Sequence, residues 1–212
     1  MTSPKLLSSK PIPPAERLIF ALDVPSPTTA RELVEALGDA VRFYKIGLEL
    51  FMAGGYFELI EWLRARDKKV FVDLKFFDVP ETVRSAVRQL EPYGATFTTV
   101  HGNDAILRAA VAAAQEMEGD LGILAVTALT SLDQADLDDL GFACDPKTLV
   151  LSRARRALDI GCRGVISSGL EAADLRESLG EKLLIVTPGI RPVLNRPADD
   201  QKRTMDVEDA FL

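Results

Sequence analysis

Short apolar runs alternate with segments of helical periodicity along almost the whole chain, and few folds accept that pattern. Residues 18–23, 43–47, 70–72, 96–100, 121–127, 164–167 and 183–187 read as seven strands, rich in β-branched and aromatic residues. Between them, apolar residues recur three or four apart, as in Leu33, Val34, Leu37 and Phe57, Ile60, Leu63. Helices are expected from Thr28 or Thr29 to Gly38, from Tyr56 to Arg66, from Pro80 through Val83 and Val87 to Leu90, across an Ala-rich stretch ending at Gly119, over 147–160 and over 170–179. Strict alternation implies a parallel sheet with right-handed crossovers. The repeat length predicts an α/β chain folded as a (β/α)8 TIM barrel, with active residues at the C-terminal strand ends. A doubly wound open sheet is the alternative, but no Gly-rich fingerprint follows the first strand. Residues 1–15 read as a mobile tail and 16–212 as the barrel domain. An eighth strand and helix are not found before Leu212, so the barrel is expected to be truncated or incomplete at its C-terminus.

Composition narrows the class. With 212 residues the chain can bury a substantial core. A net charge of −7, with acidic and basic residues interspersed, argues against nucleic acid or an anionic membrane as the main partner. No apolar run reaches the roughly 20 residues that span a bilayer, and the N-terminus lacks the apolar core of a signal peptide. Cys144 and Cys162 have no metal-ligand spacing and are too few for a disulfide framework. The expectation is a cytoplasmic protein with no thiol cluster or zinc spacing, although Asp and Glu side chains could still hold Mg²⁺.

Charges at strand ends carry the chemistry. Asp73 and Lys75 follow the run Val70-Phe71-Val72 at i and i+2, which places both side chains on one face of a strand. Asp23 and Lys45 end the first and second strands. In a barrel these four residues converge on one mouth, with Asp78 and Thr82 just beyond. Buried charges are costly unless paired, and an ammonium beside carboxylates keeps its proton. Such a lysine is a general acid that can protonate and stabilise a developing carbanion. Each residue alone has a plainer reading: Asp78 beside the helix opened by Pro80, Asp73 with Lys75 as a structural pair, Lys45 reaching solvent. Their conjunction at matching strand ends favours a site.

A second feature follows the seventh strand. The polar, Pro-punctuated segment 188–203 contains Arg191, whose guanidinium suits phosphate, and Gln201, which can bridge to it. A lid loop has this character, and so does a solvated surface loop. His101, the one histidine, ends the fourth strand, where a structural or base-contacting role is expected rather than metal binding.

Leu22-Asp23-Val24, Tyr44-Lys45-Ile46-Gly47, Asp73-Leu74-Lys75 with Asp78-Val79-Pro80 and Thr82, Leu129-Thr130-Ser131, Pro188-Gly189-Ile190-Arg191-Pro192 and Asp200-Gln201-Lys202-Arg203 occur in this order. Together they resemble the bacterial-type orotidine 5′-phosphate decarboxylases, over roughly residues 17–212. The central block alone is shared with sugar-phosphate decarboxylases of the same suprafamily.

The resemblance implies cofactor-free decarboxylation of orotidine 5′-monophosphate to UMP, the last step of de novo pyrimidine synthesis. Lys75 would protonate ring carbon six within a charged tetrad of Lys45, Asp73, Lys75 and Asp78, with Asp73 beside the substrate carboxylate. It also implies that Asp23 and Thr82 bind ribose hydroxyls, Thr130 or Ser131 the pyrimidine edge, and Arg191 and Gln201 the phosphate. Asp78 and Thr82 would serve the partner's site in a homodimer. Phe77 stands where many relatives carry His, and the final Gly-Arg-Pro segment of the family is absent.

Overall fold

The computed structural model describes residues 10–190, which divide into two compact units: residues 11–123, and Lys10 with 124–190. In the first unit a short helical turn, α1 (Pro14–Arg17), precedes β1 (Phe20–Ala21), α2 (Pro27–Leu37) and β2 (Phe43–Gly47). Two helices follow, α3 (Leu48–Ala53) and α4 (Tyr56–Arg64), then β3 (Lys69–Phe76), α5 (Pro80–Arg88), β4 (Phe97–Val100) and α6 (Asp104–Glu116). β5 (Gly122–Val126) carries the chain into the second unit, which continues with α7 (Gln134–Asp139), α8 (Pro146–Ile160), β6 (Gly164–Ile166), α9 (Gly169–Leu179) and β7 (Leu184–Val186).

Strand neighbours follow sequence order: β1-β2-β3-β4 in the first unit and β5-β6-β7 in the second, and the pairs of known register are parallel. A doubly wound sheet reverses direction at a switch point; neither run does. Sequential parallel strands joined through helices define the (β/α)-barrel class, with seven of its strands among the described residues.

Buried residues explain the strands. Tyr44, Ile46, Val70 and Val72 are inaccessible to solvent, as are Leu50, Leu59, Ile60 and Leu63 from the helices of the same unit. In the second unit all of β6 is buried, and Gly164 meets β7 so closely that a Cβ there would lie 2.5 Å from the Leu184 carbonyl oxygen. Only glycine fits that approach.

Several boundaries differ from the sequence expectation. The first strand is two residues long rather than six, although Leu22 N–H still donates to Lys45 O at 2.9 Å. α2 is capped by Ser26, not Thr28 or Thr29: its Oγ accepts the Thr29 N–H at 3.1 Å, and Pro27 takes the first helical position. α3 precedes the expected helix at Tyr56, from which Gly54 and Gly55, both at positive φ, separate it. α7 lies in a stretch read only as polar; a reciprocal cap between Asp133 and Asp136 stabilises its first turn.

The N-terminal end of β3 holds a second surprise. Lys68 is buried, with Nζ donating to Gly38 O at 2.6 Å and Val41 O at 3.1 Å. Lys69 pairs with Glu16 at 2.6 Å, tying α1 to the start of β3.

Candidate active site

Four charged residues from three adjacent strand segments form one row in the first unit. Lys45 Nζ lies 2.9 Å from Asp23 Oδ1 and 3.6 Å from Asp73 Oδ2. Lys75 Nζ lies 3.0 Å from each oxygen of Asp73. The charges therefore alternate: Asp23, Lys45, Asp73, Lys75. Asp73 is the buried member and Asp23 the open one, with side-chain exposures of 11% and 62%. A buried carboxylate is costly to desolvate; here two ammonium groups and a hydroxyl offset that cost.

The hydroxyl belongs to Thr99 of β4, which donates to Asp73 Oδ1 at 2.8 Å. Sequence reasoning did not single it out. A threonine in a strand reads as an ordinary β-former, and no motif flags it.

Local backbone geometry sets the row. Gly47 faces Asp73 across the β2–β3 ladder. A Cβ on Gly47 would lie 3.8 Å from Asp23 Oδ1 and 3.9 Å from Lys45 Nζ, so the missing side chain leaves one wall of the row open. The β3–β4 register shifts between Val72 and Phe76, and Lys75 sits at φ 47°. The expected i, i+2 pairing of Asp73 with Lys75 is present, but it is made through this irregularity rather than on a regular strand.

Tyr56 supports the row from behind. Its hydroxyl donates to Ile46 O at 3.0 Å, beside Lys45. Burial, and secondarily the Asp73 carboxylate, push its phenol well above the ordinary tyrosine value.

Asp78 and Thr82 stand apart from this row. Both are exposed; Asp78 Oδ1 accepts the Val79 N–H at 2.6 Å, just ahead of α5. Among the described residues Asp78 makes no ion pair with Lys45 or Lys75 of its own chain. Neighbouring Phe77 and Val79 are also exposed. His101 packs edge-on against Phe77 with ring centroids 5.1 Å apart.

Thr130 and Ser131 lie in the second unit, on the segment between β5 and α7; Thr130 is buried and Ser131 half-buried. Arg153 of α8 donates to Thr127 O at 2.7 Å and lies over the Phe142 ring, fixing the backbone just before them. Arg191 and Gln201 lie outside the described residues. Among the described residues no group of three or more His, Cys, Asp or Glu is placed to hold a metal ion, and no helix is long and apolar enough to cross a membrane.

In this barrel-class fold two ammonium groups lie within ion-pair distance of the Asp73 carboxylate, and a positioned ammonium can protonate and stabilise a carbanion, as a lyase requires. Comparison with known proteins agrees with that class. Residues 16–211 match the family described as Orotidine 5′-phosphate decarboxylase / HUMPS family. A curated protein of Methylococcus capsulatus, named orotidine 5′-phosphate decarboxylase, is 64% identical over 208 residues, covering 98% of this chain and 84% of its own length. One of the same name from Xanthomonas axonopodis pv. citri is 48% identical, covering 97% of this chain and 84% of its own. The crystal structure of orotidine 5′-phosphate decarboxylase from Lactobacillus acidophilus superposes with a TM-score of 0.76 at 36% identity, covering 82% of this chain and 81% of that one. The chain belongs to the orotidine 5′-phosphate decarboxylase / HUMPS family and is an enzyme of the carboxy-lyase class.

Proposed function

We propose that this chain converts orotidine 5′-monophosphate to UMP and CO₂, with Lys75 as the proton donor. The observation that carries the reading is the alternating row Asp23–Lys45–Asp73–Lys75, in a chain 64% identical to a protein named for this activity. When the bond between ring carbon six and the carboxylate breaks, its electron pair stays on carbon six. The Lys75 ammonium stabilises that charge and donates its proton there, and solvent later restores it. Asp73 fixes Lys75 by two hydrogen bonds of 3.0 Å. Lys45 shares its charge between Asp73 and Asp23. No cofactor is needed for this step.

The substrate contacts follow from the motif positions. Asp23 and Thr82 take the ribose hydroxyls, Thr130 or Ser131 the pyrimidine edge, and Arg191 and Gln201 the phosphate. The exposure of Asp78, with Phe77 and Val79 beside it, supports a homodimer in which Asp78 and Thr82 complete the partner's site and Asp78 joins its tetrad. A cytoplasmic location fits this reading, in which the substrate is a nucleotide; no helix among the described residues is long and apolar enough to cross a membrane.

The test is the loss of orotidine 5′-monophosphate absorbance with purified protein in the presence of chelator. Turnover supports the reading. Absence of turnover, together with conversion of a 3-keto sugar phosphate on adding Mg²⁺, would assign the chain to the sugar-phosphate branch of the suprafamily instead.

A further inference from the structure

Thr99 is fully buried, and its one hydroxyl makes two contacts that bracket the Asp73-Leu74-Lys75 segment. Oγ1 accepts the Lys75 backbone N–H at 2.9 Å and donates to Asp73 Oδ1 at 2.8 Å. A hydroxyl has one proton and two lone pairs, so both bonds are satisfied together.

The backbone explains why the hydroxyl is needed. Val72 faces Thr98 and Phe76 faces Val100, so four steps along β3 oppose two along β4. Residues within such a bulge lose their ladder partners, and Lys75 turns its N–H to a side-chain oxygen instead. It does so at φ 47°, a conformation non-glycine residues adopt only when their surroundings hold them there. Thr99 Oγ1 is the group that meets the Lys75 N–H in that conformation.

We propose that Thr99 is a positioning residue: its hydroxyl locks the bulge so that the Lys75 ammonium and the Asp73 carboxylate address one reacting centre. What the pair does there rests on the decarboxylase reading above; the locking itself does not. The other groups around Asp73 are Lys45 from β2, with Asp23 behind it, and Tyr56 from α4. The Lys75 N–H goes to Thr99 Oγ1 rather than to any of these groups.

The variants are Thr99→Val, which keeps the shape without the hydroxyl, and Thr99→Ser, which keeps the hydroxyl. Losing one hydrogen bond to a charged group predicts a fall in kcat of about tenfold or more for Thr99→Val, with KM moving less than about threefold. Thr99→Ser is expected to restore kcat to within about threefold of the parent. Independently of any substrate, hydrogen exchange at the Lys75 amide should speed up about tenfold in Thr99→Val and stay near parental in Thr99→Ser, with the Val72 amide unchanged in both. A Thr99→Val protein with parental kcat, or with parental exchange at Lys75, would overturn the proposal. If the parent protein is inert toward orotidine 5′-monophosphate, the decarboxylase reading fails and the catalytic role of Thr99 with it. The exchange rates then still decide whether Thr99 holds the bulge.

Discussion

Lys75 Nζ is equidistant, at 3.0 Å, from both carboxylate oxygens of Asp73, although the Lys75 backbone is left-handed at φ 47°. A strained residue making an ideal contact marks a place where geometry serves function over stability. Replacing Lys75 by Ala removes the proton donor and leaves Asp73 with one distant ammonium. A loss of kcat of at least about a hundredfold is expected, measured by substrate absorbance. Asp73→Asn is expected to lose activity comparably, because Lys45 and Lys75 then face each other without the carboxylate between them.

Among the described residues Asp78 makes no ion pair with Lys45 or Lys75 of its own chain, which allows a complementation test. Lys75→Ala and Asp78→Ala proteins should each be inactive as homodimers. Mixed and allowed to exchange subunits, half the dimers are hybrids with one intact site of two, so activity should recover to roughly a quarter of the parental level. No recovery, with hybrid dimers demonstrated by mass, would reject shared sites.

Gly47→Ala tests the open wall of the row. A methyl group there meets Asp23 and Lys45 at ordinary contact distance, and the backbone φ of −117° suits alanine. The melting temperature should change little, while KM for the nucleotide rises because the methyl group occupies substrate space.

Much of this site can be read from the sequence, and the reasons are physical. Asp23, Lys45, Asp73 and Lys75 stand out because each is a charge at the end of an apolar run, where burial would penalise it unless it were paired. Thr99 does not stand out, because a strand threonine needs no explanation until its hydroxyl is seen under a bulge. Lys68 is hidden for a different reason: nothing about a lysine next to a strand signals burial, yet Lys68 Nζ donates to the carbonyls of Gly38 and Val41. The short helices α3 and α7 escape periodicity because six residues give fewer than two turns.

Lys68→Met therefore predicts a stability loss away from the site. The buried Val41 carbonyl loses its donor, and the part-buried Gly38 carbonyl loses one that water can replace, at a cost of about 1–3 kcal/mol, seen as a lower midpoint in urea. Activity at 25 °C should be retained.

Cys162 is buried, and burial pushes its thiol up from 9.0 to about 12. Above about pH 9 the unfolded thiol ionises while the folded one does not, so the unfolded state binds fewer protons and stability falls as pH rises from 9 toward 12. Tyr56, raised for the same reason, acts in the same direction. Urea titrations at pH 8 and pH 10 measure the slope. At pH 8 the native protein should present only Cys144 to a thiol reagent, with Cys162 reacting after denaturation.

The most direct measurement of the central claim is turnover in D₂O by the parental protein and by Lys75→Ala, with UMP analysed by mass spectrometry. The account predicts UMP carrying one deuterium at ring carbon six from the parent, and almost no UMP from Lys75→Ala. Labelled UMP formed by Lys75→Ala at a rate within about tenfold of the parent would contradict it, since the proton would then come from another group.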